Sequence, residues 1–70
     1  MATFKVNHIT KSGTHISTMF ADYEQAVKKV QSLFKQRLEA QVFLNSRLIG
    51  RVWKDNTQVK KWNYSIESPA

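Results

Sequence analysis

Two segments near the start of the chain alternate in side-chain character with a period of two. Phe4, Val6 and His8 take one side of a strand and Lys5, Asn7 and Ile9 the other, while Ile16, Thr18 and Phe20 alternate in the same way with His15, Ser17 and Met19. Between them Lys11-Ser12-Gly13 fits a three-residue hairpin loop with glycine where left-handed backbone is needed. That loop pairs Thr10 with Thr14, and the register then sets Val6 against Thr18 and Phe4 against Phe20. Those apolar positions form the expected core face.

The period changes at Asp22. Tyr23, Ala26, Val27, Val30, Leu33, Phe34 and Leu38 recur at steps of three and four, with Glu24, Lys28, Gln31 and Lys35 on the far side, which predicts an amphipathic helix. Asp22 is placed to cap its first amides, with Gln25 in the reciprocal position. Lys35 and Arg37 suit the negative end of the helix dipole.

After Glu39 the chain returns to short β-prone runs. Ala40–Leu44 and Leu48–Trp53 flank Asn45-Ser46-Arg47, and Val59–Ile66 follows Lys54-Asp55-Asn56-Thr57. Trp62, Tyr64 and Ile66 alternate with Lys61, Asn63, Ser65 and Glu67, so the first three are expected in the core. Residues 68–70, with Pro69 and Ala70, are expected to fray. The order β-β-α-β-β-β predicts an α+β fold, one helix packed on one face of a roughly five-stranded antiparallel sheet, with residues 1–70 forming a single domain.

Loop length decides which residues share a face, because a slip of one residue exchanges the two faces of a strand. A three-residue loop, Asn45–Arg47, pairs Leu44 with Leu48 and gathers Ala40, Val42, Leu44, Leu48, Gly50 and Val52 on a core face. Gln41, Phe43, Ile49, Arg51, Trp53, Val59, Lys61 and Asn63 then take the other face. A two-residue loop, Asn45-Ser46, would instead turn Trp53 toward the core and bury Arg51, at a high cost for an unpaired charge. The three-residue loop is therefore the expected one. Gly50 in either case points to close packing or a bulge.

Composition narrows the function. The chain has 70 residues, a hydrophobic fraction of 41%, 2 Gly, 1 Pro and no cysteine, so it reads as globular and without disulfides, thiolate metal sites or a cysteine nucleophile. A core this small supplies only about 3–5 kcal/mol unaided, which leaves homodimerisation or a partner as a source of stability. No stretch reads as a signal peptide or a membrane span, and a cytoplasmic protein is expected. Eleven Lys and Arg against five Asp and Glu give a net charge of +6, which favours an acidic partner such as nucleic acid, an anionic membrane surface or an acidic protein.

The strongest candidate surface combines Phe43 and Trp53 with Arg51 and Lys61, and with Lys54 and Lys60 close in sequence. Aromatic rings on an open sheet stack unpaired bases, and surrounding cations neutralise phosphates. A second basic surface, Lys28, Lys29 and Lys35, lies on the helix, where a charged solvent face is the simpler explanation. His8 and His15 fall on opposite faces of the first hairpin, so no metal site is expected; the serines and carboxylates suggest no catalytic constellation, and neither a cofactor nor a small-molecule substrate is indicated. The expected function is a non-enzymatic binding protein that contacts nucleic acid with low sequence selectivity. The alternative is a protein-interaction module, such as a small inhibitor or assembly adaptor, docking on an acidic face of a larger complex.

Overall fold

A computed structural model describes residues 3–55 and 61–67. Its elements are β1 (Phe4–Ile9), β2 (His15–Phe20), α1 (Tyr23–Gln36), β3 (Ala40–Leu44), β4 (Arg47–Lys54) and β5 (Trp62–Ile66). Among the described residues the strands form one antiparallel sheet in the order β2-β1-β3-β4-β5. β2 and β3 both run antiparallel to β1, so α1 carries the chain from the sheet edge across β1 to its far side. This is the expected fold. Residues 56–60 and the predicted tail 68–70 lie outside the described residues, so the start of the last predicted strand at Val59 is not addressed.

The first hairpin follows its sequence. The Thr10 N–H donates to the Thr14 carbonyl at 2.9 Å, Gly13 N–H to the Thr10 carbonyl at 2.9 Å, and Gly13 takes φ +89°. Phe4 then opposes Phe20 and Val6 opposes Thr18.

The helix starts where Asp22 accepts a hydrogen bond from the Glu24 amide at 3.1 Å. It ends at Gln36, two residues before the last apolar position of the repeat, Leu38. Arg37 adopts left-handed backbone at φ 58°, and the Leu38 amide reaches back to the Leu33 carbonyl at 3.0 Å. This is the Schellman arrangement that most helices complete with glycine. Leu38 therefore lies beyond the helix, yet it still packs against the core.

Ala26, Val30 and Leu33 on the helix meet Phe4, Val6, Ala40, Val42, Ile49 and Val52 on the sheet, and all of them are buried. Tyr23 packs on Phe4 with ring centroids 5.7 Å apart, and Phe34 on Tyr64 at 4.7 Å. Trp62 and Ile66 are half-buried at the margin of this core, while Tyr64 remains 39% exposed, because β5 is an edge strand that the helix only partly covers.

The second hairpin corrects the expected loop. Leu44 opposes Arg47, not Leu48, so the connection is the two-residue Asn45-Ser46. Both residues have positive φ, 50° and 72°, as a type I′ turn requires. Continued unbroken, this register would have turned Arg51 inward. A bulge prevents it: the pairing shifts between Val42 and Phe43, so that Gly50 opposes Val42 while Leu48 opposes Phe43. The extra residue, Ile49, sits in the core at 5% exposure, and Leu48 stands 48% exposed on the other face. Leu48 and Ile49 have therefore exchanged the faces assigned to them by the three-residue loop, whereas Arg51, Val52 and Trp53 keep theirs.

Candidate nucleic-acid interface

The face opposite α1 is built from the residues that alternate with the core. Each layer of the sheet contributes a row across it. Met19, Lys5, Phe43 and Leu48 form one row, and Ser17, Asn7, Gln41, Arg51 and Ser65 form the next. His15, Ile9, Trp53 and Asn63 form the third, with Glu39 between Ile9 and Trp53, where the Ile9 amide donates to the Glu39 carbonyl at 3.1 Å. The surface thus has a polar centre between two partly apolar margins.

Trp53 and Arg51 point to this face because they flank Val52, which is 2% exposed beneath the helix. The Arg51 guanidinium carbon lies 4.4 Å from the centroid of the Trp53 ring. That contact holds the guanidinium over the indole by a cation–π attraction. Arg51 is exposed and Trp53 half-buried, so the charged partner is the outer one. Phe43 lies four residues along the sheet from the level of Trp53, about 13 Å at ~3.3 Å per residue. The two rings are thus set apart along the face.

Two shallow hollows mark the same face. One of about 400 Å³ is lined by Lys5, Asn7, Met19, Phe43 and Asn45. The other, about 310 Å³, opens at the end of the sheet where β3 begins between β1 and β4, and Glu39, Gln41, Arg51 and Trp53 of the open face line it together with His8 and Lys54 of the helix side. Asn7 is held by Ser17, whose hydroxyl donates to the Asn7 side-chain oxygen at 2.6 Å.

Of the residues singled out in the sequence, Phe43, Arg51 and Trp53 share this face. Lys61 is exposed just before β5, and its carbonyl accepts from the Asp55 amide at 2.8 Å. Lys54 pairs with Trp62 and alternates to the helix side at the end of β4, yet it lines the hollow beside Trp53 together with Arg51. Lys60 lies outside the described residues. On the helix, Lys28 and Lys35 are exposed on the outer side, but Lys29 is half-buried and close enough to His8 to act on it. The helical lysines therefore do not form one continuous surface.

Sequence reasoning missed Leu48 and Glu39 as members of the sheet face. The asparagine at the first position of the Asn45-Ser46 turn was the available signal for a two-residue loop. Nothing in the local pattern places Glu39, whose position follows from the early end of the helix.

His8 is buried at 7% exposure on the helix side of β1, and its Nδ1 has no hydrogen-bond partner among the described residues. Desolvation, aided by the nearby Lys29 charge, lowers its pKa below the ordinary histidine value. His15 is on the opposite face. Among the described residues no three His, Asp or Glu side chains gather into a metal-binding group. Among the described residues no helix is long and apolar enough to cross a membrane. Comparison of the chain with family models, with curated proteins and with solved structures finds no match.

Proposed function

We propose that this protein binds single-stranded nucleic acid on the open face of its sheet. The observation that carries this reading is the Arg51–Trp53 pair, at 4.4 Å, on the side of the sheet that no described helix covers. A guanidinium backed by an indole is a stacking platform for an unpaired base, and the half-buried Phe43 ring offers a second aromatic surface on the same face. Lys5 and Lys61 add positive charge at the margins of the same face. Glu39 and Gln41 border the hollow beside Trp53, where they offer an acceptor and an amide to a base edge. A duplex is the poorer ligand, since its bases are already stacked and its smooth surface leaves these rings without partners.

The test is a salt-dependent titration with single-stranded and double-stranded oligonucleotides of the same sequence. About three phosphate contacts, at a slope of ~0.7 each, give log K falling against log salt with a slope of about −2. Tighter binding of the single strand with that dependence supports the proposal; equal binding of both forms, or none, contradicts it.

One observation favours a protein partner instead. Met19 and Leu48, 59% and 48% exposed, place apolar surface at one margin of the same face, where a phosphate backbone has no use for it. On this reading an acidic protein covers the sheet and the cations steer its approach. Met19→Ser with Leu48→Ser discriminates: oligonucleotide binding is unaffected by the change, whereas docking of a protein is weakened.

A further inference from the structure

We infer that the free edge of β2 pairs antiparallel with the same edge of a second copy, so that the chain associates as a two-fold symmetric dimer with a continuous sheet. This inference is independent of the nucleic-acid reading.

The hydrogen-bond phase of the sheet fixes which groups are available. The Ile9 amide donates toward Glu39 on the β3 side, and the Thr10 amide toward Thr14 on the β2 side. Alternate residues of an antiparallel strand bond to opposite neighbours, so His8, Val6 and Phe4 bond to Ile16, Thr18 and Phe20. His15, Ser17 and Met19 therefore direct their N–H and C=O groups away from β1, to an edge that no described element covers. Such an edge is a template for another strand.

Four features identify a second copy as the occupant. First, β2 contains no Lys, Arg, Asp or Glu, so a chain of net charge +6 can approach itself here without facing its own cations. Second, the outward residues are centred on Ser17, so a two-fold axis at that residue places Ser17 against the partner's Ser17 and His15 against the partner's Met19, with every outward group bonded. Third, the same register sets Ile16, 40% exposed, beside the partner's Thr18 and covers its apolar surface. Fourth, it brings Lys11 of the exposed turn level with the start of the partner's helix, where the partner's Asp22 and the partner's Glu24 carry negative charge. The other edge, β5, is flanked by Lys61 and Glu67, and Glu67 is engaged by Arg47 at 3.4 Å.

An interface of one strand pair lies at the small end of specific interfaces, so the dimer is a weak and concentration-dependent one. Sedimentation and light scattering on the full chain should show a mass rising with concentration from 8.1 kDa toward twice that value. Ser17→Pro removes an amide that only the partner uses, and Met19→Lys sets a charge at the edge. Each should hold the mass at that of one chain, with the circular dichroism spectrum unchanged. Ser65→Lys, on the far edge strand, should leave the association intact. Should Ser17→Pro fail to fold, Met19→Lys carries the test, together with hydrogen exchange of the wild-type chain. There the amides of His15, Ser17 and Met19 should gain protection as concentration rises. A mass that stays at 8.1 kDa throughout, or a dimer that survives Met19→Lys with those amides unprotected, overturns the inference.

Discussion

Single residues carry definite costs in this structure. At Gly50 an added Cβ would lie 2.7 Å from the Ser65 carbonyl oxygen and 3.0 Å from Ile66 Cα, both backbone atoms that cannot swing aside. Gly50→Ala should therefore destabilise the protein by about 1–3 kcal/mol in a denaturant titration, as overpacking does. Arg37 holds a left-handed conformation that an L side chain adopts reluctantly. Arg37→Gly should raise the denaturation midpoint, by about 0.5–1 kcal/mol in stability, provided the Schellman bonds persist. His8 makes stability depend on pH. Its folded-state pKa is depressed, so the unfolded chain binds the proton more readily, and stability is full above the ordinary value near 6.5 and falls as pH drops through that value toward the folded one. A series of melts between neutral and mildly acidic pH should show this loss, and His8→Leu should flatten it over that window.

At the level of elements, most of the architecture was legible because local chemistry and tertiary packing agree. The Gly13 loop, the Asp22 cap and the alternation of β1 and β2 each specify one outcome. The second hairpin shows where such reading fails. The sequence suggests a three-residue loop because that loop keeps Arg51 and Trp53 outward, and the outward placement is correct. The chain reaches it differently, with the tight Asn45-Ser46 turn followed by one extra residue at Ile49. Parity counting sees only the sum of loop and bulge, so it recovers the faces beyond the bulge and misassigns Leu48 and Ile49 before it. The alternation along β4 sets Lys54 on the face opposite Arg51, although both reach the hollow beside Trp53. Ser46 holds a φ of 72° where glycine is the favoured residue. Ser46→Gly should stabilise the hairpin by about 0.5–1 kcal/mol, seen as a higher melting temperature and slower exchange of the β3–β4 amides.

On the scale of the whole molecule, the asymmetry of the sheet matters most. One face is closed by α1 over a continuous aliphatic core, and the other presents Lys5, Phe43, Arg51 and Trp53 with nothing described above them. That division was legible in the alternation of apolar positions. The polar row of Asn7, Gln41 and Ser65 across its centre needed the strand order, which places residues distant in sequence side by side. On the proposed function, the net charge of +6 favours an acidic partner and the open face is where that partner would lie. If bases stack on this face, the Arg51–Trp53 pair carries more of the affinity than any lysine, since a stacked base contributes about 1–3 kcal/mol and an exposed ion pair less.

The most direct measurement is the fluorescence of Trp53 in a Trp62→Phe background, titrated with a single-stranded oligonucleotide at low salt. Saturable quenching is expected, with at least about a tenfold loss of affinity in Trp53→Ala that Trp53→Phe largely restores. Unchanged emission on binding, or full affinity in Trp53→Ala, would contradict base stacking on Trp53.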